Sequence, residues 1–239
     1  SRPFGLGAKR NTGRLMERSC GQISETSNRV MHRLHTTEDF EAAVAQLSAV
    51  APRFSAVVEC HGMPPLRHVE PGLQSLLRIV TDQLISLKAG EAIWARLAAR
   101  LGRFTPDLVL AASQEELRSL GLSGAKARTF HAAALAFGQG SLSDADGLGD
   151  AEVQRRLLAI PGVGPWTASI YLLMALRSAD AWPAADLALQ VAAQDLFCLQ
   201  ERPSSRRMAE LGEAWRPYRS AAALLLWRHY RGLRDMSPA

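Results

Sequence analysis

Long apolar runs are absent from this chain of 239 residues. No stretch approaches the roughly 18 consecutive apolar residues that span a bilayer, which argues against a membrane-embedded protein or a membrane partner. The N-terminus lacks the apolar core of a secretory leader. Cysteine is scarce: Cys20, Cys60 and Cys198 are odd in number and far apart. That spacing suggests neither a disulfide framework nor a cysteine-based metal cluster. It fits a reducing, intracellular compartment. Strand signals are almost missing, because short alternating or β-branched runs hardly occur. What remains is a chain that is 47% hydrophobic, long enough for one large domain or two small ones with a real core.

The net charge of +5 is unevenly placed. Residues 1–35 hold seven basic residues (Arg2, Lys9, Arg10, Arg14, Arg18, Arg29, Arg33) and two acids (Glu17, Glu25), which is +5 alone. Residues 36–239 hold 21 basic and 21 acidic residues and balance. The basic character therefore belongs to an N-terminal arm rich in Gly, Ser and Arg and lacking periodicity. It reads first as a disordered leader, with Met31 as a natural start, and second as a nucleic-acid contact.

From Thr37 onward the apolar spacing is helical almost throughout. Phe40, Ala43, Val44 and Leu47 lie on one face of a first helix. Residues 52–60 are ambiguous. Residues 61–71, with three prolines and a glycine, form a linker. Helices are expected at about 73–87, 90–101, 114–120, 124–137, 150–159, 165–177, 186–199, 206–213 and 217–231, with 138–149 a loop. The fold class is all-α, with ten or so helices. No repeat of 20 to 50 residues marks a solenoid.

The most informative segment is Leu157-Leu158-Ala159-Ile160-Pro161-Gly162-Val163-Gly164-Pro165-Trp166-Thr167-Ala168. A helix ends at Ile160. Two glycines make a tight turn, and Pro165 stands at its favoured place in the first turn of a new helix. Gly162 and Gly164 can adopt backbone angles closed to other residues. They also leave the N–H groups of the turn and the new helix end uncovered, an arrangement that suits an anion such as a phosphate. From Gly-x-Gly alone, a plain helical corner is the simpler reading. Asp186 follows Pro183 and precedes Leu187, Val191 and Leu196; on spacing alone it is a helix N-cap.

The longer pattern Leu-x-x-Ile-Pro-Gly-Val-Gly-x-Trp-Thr-Ala resembles the hairpin of the helix-hairpin-helix DNA glycosylase superfamily. Trp182-Pro183-Ala184-Ala185-Asp186-Leu187 follows it, as an aspartate follows in that family. Three more segments are similar to the 3-methyladenine DNA glycosylase II type, in the same order. They are Leu77 to Ser86 with Gln83, Leu117 to Ala127 with Gly121-Leu122-Ser123, and Trp215-Arg216-Pro217-Tyr218-Arg219-Ser220 running to Trp227. The resemblance covers about residues 40–231. It implies two helical subdomains flanking a DNA-binding cleft, residues 71–180 forming a central bundle and residues 36–70 with 181–239 the second subdomain.

What the resemblance implies chemically can be stated residue by residue. Asp186 is the catalytic carboxylate. Breaking the bond between base and sugar leaves positive charge on the deoxyribose, which a carboxylate can stabilise while water attacks. Glycosidases otherwise need a second acid to protonate the leaving group. An alkylated base such as 3-methyladenine is already cationic and needs none; Asp180 and Asp195 read as solvated surface charges. Relatives that also cut the strand carry a lysine nucleophile at the place of Trp166, and many hold an iron–sulfur cluster on four C-terminal cysteines. Both are missing, so the resemblance implies a monofunctional hydrolase that leaves an abasic site in base excision repair.

Such an enzyme flips its base from the duplex. Leu84 matches the family's wedge, with ordinary helix core as the alternative. Gln83, Trp166, Ile170 and Trp227 match the base pocket, where aromatic faces would favour a cationic base. Trp94 and Trp215 read as core. Ser86, Ser123, Gly124, Gly162, Gly164 and Thr167 would hold phosphates. No cofactor is required; a monovalent ion on the carbonyls of Ile160 and Val163 is compatible with the family. The expected partner is double-stranded DNA containing alkylated bases, and the expected state a monomer, cytoplasmic or nucleoid-associated.

Two positions depart from the family. Ile170, with Tyr171 beside it, stands where a tyrosine is known, and Asp82 stands where a small residue is usual. The short, strand-poor stretch before residue 70 leaves no room there for the extra sheet domain of some members. A glycosylase for another lesion, and a DNA-binding module without activity, are the alternatives.

Overall fold

The computed structural model describes residues 33–142 and 145–235. All but the last three residues of the basic arm expected at 1–35 lie outside them. Those last residues are ordered. Arg33 pairs with Asp150 and bridges Ser178, Leu34 is buried, and its N–H donates to Arg177 O at 2.7 Å.

Twelve α-helices occur among the described residues, with no strand, and longer connections follow α2 and α9. They are α1 (Thr37–Val50), α2 (Arg53–His61), α3 (Leu73–Asp82), α4 (Leu87–Leu101), α5 (Pro106–Ala111), α6 (Gln114–Ser119), α7 (Gly124–Gly138), α8 (Asp150–Leu158), α9 (Pro165–Met174), α10 (Leu187–Leu196), α11 (Ser205–Glu213) and α12 (Arg219–Asp235). The all-α expectation holds. No helix of the described residues is long and apolar enough to cross a membrane.

Most starts are written locally. Thr36, Ser86, Thr105, Ser113, Ser123, Asp186 and Ser204 each accept a backbone N–H of the first turn they precede. The ambiguous stretch 52–60 is helix α2, burying Phe54 and Val57. Helix α5, capped by Thr105 with Pro106 behind it, is an addition to the expected set. The expected helix over 73–87 is corrected: α3 stops at Asp82, Leu84 turns the chain at φ 56°, and Ser86 starts α4.

Helices α1, α2, α10 and α12 pack together, as do α3 to α9. Phe54 and Phe197 meet Trp215, with ring centroids 5.2 and 5.4 Å away, and Trp182 joins at 5.2 Å. Trp215 is core, as expected. Trp94 is half-buried and stacks on Phe104 at 4.3 Å.

Candidate active site

The hairpin begins where α8 runs out. Val163 N–H donates to Ile160 O at 3.0 Å and closes the turn. Gly162 lies at φ 88°, and a Cβ there would fall 1.8 Å from Thr129 Oγ1 on α7. Both conformation and packing therefore demand glycine at 162. Gly164 is different from the expectation. Its φ of −97° is open to any residue, and a Cβ at this position would meet nothing within 4 Å. What it contributes is an omission, since α9 starts with no side-chain cap. Pro165 has no N–H to offer, so the N–H groups of Trp166 and Thr167 are the ones left facing outward by the missing cap.

Helix α9 carries Trp166 in its first turn, and α12 carries Trp227. Both indoles aim at Asp186. Trp166 Nε1 donates to Asp186 Oδ2 at 2.9 Å, and Trp227 Nε1 donates to Oδ1 at 3.2 Å. Leu189 N–H also donates to Oδ1, at 3.1 Å. Asp186 is thus an N-cap, as its spacing suggested, and the meeting point of two indoles that spacing could not show. All three partners are donors, which suits a carboxylate, an acceptor when ionised. The side chain is half-buried, at the positive end of α10.

A polar staple ties the start of α12 to the connection between α9 and α10. Arg219 Nε and Nη2 donate to Asp180 Oδ1 and Oδ2 at 2.8 and 2.9 Å, and Arg216 Nη1 donates to Oδ2 at 2.7 Å. Ser220, fully buried, accepts from Ala181 N–H at 3.0 Å and donates to Ala181 O at 3.2 Å. Asp180 is therefore not the solvated surface charge expected of it: it fixes the start of α12, eight residues before Trp227. Asp195 is exposed and pairs with His229 at 2.7 Å.

The other expected residues divide. Gln83 Nε2 donates to Thr167 Oγ1 at 2.7 Å, so Gln83 and Asp186 are tied to neighbouring residues of α9. Thr167 is 2% exposed and its hydroxyl accepts the Gln83 amide N–H. Burial leaves the backbone N–H of Thr167, rather than its side chain, as the group open to a phosphate. Leu84 is not helix core: it is fully exposed, at φ 56°, a conformation rare for a bulky residue. Ile170 is buried at 8% exposure and makes none of the contacts to Asp186. Ser86 and Ser123 are exposed caps. Beside Ser123 and Gly124, an open groove of 440 Å³ is lined by Glu115, Arg118, Ser119 and Leu122; it belongs to the turn before α7, not to Asp186. Among the described residues no group of three or more His, Cys, Asp or Glu could hold a metal ion.

Sequence reasoning gave no role to Lys126. Lys126 Nζ donates to Thr81 O at 2.8 Å and Gln83 O at 2.7 Å. Burial lowers its pKa, with the Asp82 charge opposing.

Fold and site together define a helix-hairpin-helix protein with one carboxylate held beside the hairpin. The family described as the HhH-GPD superfamily of base excision DNA repair proteins matches residues 77–217, and the chain belongs to it. It is 27% identical over 184 residues to YfjP of Bacillus subtilis, provisionally named a DNA-3-methyladenine glycosylase, covering 73% of this chain and 64% of that one. It is 34% identical over 200 residues to a Mycobacterium tuberculosis protein, AlkA, provisionally named a bifunctional transcriptional activator and DNA repair enzyme, covering 79% of this chain. It spans only 39% of that relative's length. Among solved structures, the 3-methyladenine DNA glycosylase Mag1 of Schizosaccharomyces pombe, in complex with abasic DNA, superposes with a TM-score of 0.72 at 29% identity. That match covers 78% of this chain and 95% of the other.

Proposed function

We propose that this chain is a monofunctional DNA glycosylase that hydrolyses the N-glycosidic bond of alkylated bases, 3-methyladenine and its like, in duplex DNA. The observation that carries the reading is Asp186, held by two indole N–H groups and a helix end, with tryptophan rather than lysine at position 166. As the base departs with the bonding electrons, positive charge develops on the sugar. The fixed carboxylate stabilises that charge without having to reorganise. Water then adds to the sugar and loses its proton, leaving an abasic site. A cationic leaving base neutralises itself by taking those electrons, so one carboxylate suffices.

The rest of the surface supports the same reading. Leu84 fills the gap left by the flipped base, with Gln83 beside it. Trp166 and Trp227 line the pocket, Ile170 forming its floor from within the core. The uncapped start of α9 at Gly162 and Gly164 takes one phosphate. Ser86, and Ser123 with Gly124, take others, since each hydroxyl accepts one backbone N–H and keeps its own proton to donate. A monovalent ion fits the hairpin carbonyls of Ile160 and Val163; Ile160 O already accepts one N–H and keeps one lone pair. It would order the turn. The DNA lies between a central bundle, 71–180, and a subdomain of 36–70 with 181–239. The protein acts as an intracellular monomer.

The test is base release from methylated duplex DNA. The expected result is free 3-methyladenine, with strand breaks only after mild alkali. Breaks before alkali would contradict a monofunctional hydrolase, and bound DNA without release would leave a different lesion or a binding module.

A further inference from the structure

The corner between α3 and α4 is an awkward piece of chain. Helix α3 ends at Asp82; the Gln83 N–H reaches back to Val80 O, and the carbonyls after it are past the helical ladder. Gln83 is extended, at φ −56° and ψ 127°. Leu84 then takes a left-handed backbone and exposes its whole side chain, with Leu87 exposed just beyond it. An apolar side chain held out in water on a rarely populated backbone needs something to keep it there.

Two contacts from other helices reach this corner. Thr167 of α9 holds only the end of the Gln83 side chain. Lys126 of α7 holds the main chain itself, through Thr81 O and Gln83 O, on both sides of Asp82. Asp82 adds a third constraint. Its Oδ2 accepts Arg78 Nε at 2.8 Å, while its buried Oδ1 has no hydrogen-bond partner and faces Gly90, where a Cβ would stand 2.2 Å away. The ammonium and this carboxylate therefore grip adjoining parts of one short segment.

We infer that Lys126 is a positioning residue for the wedge: by bonding Thr81 O and Gln83 O it fixes the main chain from which Leu84 projects. This rests on the reading of Leu84 as the wedge. The two ligands of Lys126 are neutral carbonyls, so the lysine is not simply one half of an ion pair. Its burial, which lowers its pKa, is the cost of that placement. Lysine brings three donors on a flexible stem, enough for both carbonyls at once. A neutral side chain of similar shape would fill the space and leave both carbonyls unpaired.

The experiment compares wild type, Lys126→Met, Lys126→Arg and Leu84→Ala. The substrates are a duplex carrying one 7-methylguanine opposite cytosine, and the same lesion opposite an abasic site, where less stacking and pairing must be broken. Lys126→Met should release the paired lesion about tenfold more slowly, yet the unpaired one within about twofold of wild type. Lys126→Arg should restore most of the paired rate. Amide hydrogen exchange in the free protein should quicken over 82–86 in Lys126→Met and not in Lys126→Arg. Unchanged exchange at 82–86, or equal losses on both substrates, would overturn the inference. Lys126→Gln, too short to reach both carbonyls, gives the same readouts if Lys126→Met does not fold. If Leu84→Ala releases the paired lesion as fast as wild type, the wedge reading fails, and exchange still decides whether Lys126 holds the corner.

Discussion

The carboxylate of Asp186 and the corner at Leu84 both have a hydrogen bond to the first turn of α9, yet they are secured in opposite ways. Asp186 is a polar group with its acceptors met by Trp166, Trp227 and Leu189. Leu84 is an apolar group with nothing around it, held by its backbone alone. The first region has its donors in place before any substrate arrives, as stabilising a developing charge requires. The second carries exposed apolar surface and a rarely populated backbone. On the proposed reading, chemistry belongs to the region that is complete, and opening the duplex to the region that is not.

The largest effect should come from Asp186→Asn. It removes the charge while keeping the N-cap, so base release should fall about 100- to 1000-fold with DNA affinity nearly unchanged. Single-turnover rates and a binding titration check it. Replacing both indoles, Trp166→Phe with Trp227→Phe, keeps the rings and deletes the donors. A charge-assisted hydrogen bond contributes about 1.5–3 kcal/mol, and about half of the two bonds' sum should act on the transition state, so release should slow by about 10- to 100-fold, in kcat rather than KM. A change confined to KM would mean that the rings only bind the base.

Smaller effects test the supports. Gly162→Ala places a methyl group against Thr129 in a left-handed turn. It should cost about 1–3 kcal/mol and lower Tm by roughly 5 °C. Gly164→Ala should not, because its backbone is ordinary and its surroundings open. The smallest effect concerns the α2–α12 contact. Burial, then His229 and Arg228, push the His61 pKa below its ordinary 6.5, against a weaker pull from Asp235. Between the folded value and 6.5 the unfolded chain binds more protons, so stability rises with pH across that window and falls on acidification below about 6.5. Melting scans from pH 7.5 to 5.5 should show a loss on the order of 1–2 °C, reduced in His61→Gln.

Much of this site is legible in the chain itself. The hairpin, Asp186 as a cap and Gln83 beside Leu84 are local patterns, and local patterns survive in a linear reading. The corner is hidden by its own periodicity. Leu73, Leu77, Val80, Leu84 and Leu87 are spaced as one helical face, which predicts an unbroken helix. Only Ser86, an N-cap residue in mid-pattern, hints at a break. Apolar spacing reports burial, but Leu84 and Leu87 are exposed. The indole bonds to Asp186 span 20 and 41 residues, and the Asp180–Arg219 pair spans 39. Such pairings depend on how helices pack, which no local pattern carries. Asp180 reads as a surface charge for that reason, and Lys126 shows no role.

The division of labour between the two regions is tested most directly by one ratio, the rate on 7-methylguanine opposite cytosine over that on 7-methylguanine opposite an abasic site. It is to be measured in wild type, Asp186→Asn and Leu84→Ala. Asp186→Asn should lose both rates together and keep the wild-type ratio. Leu84→Ala should lose the paired rate alone, by about tenfold, and lower the ratio. A ratio that moves in Asp186→Asn, or stays fixed in Leu84→Ala, would contradict the separation of the carboxylate from the wedge.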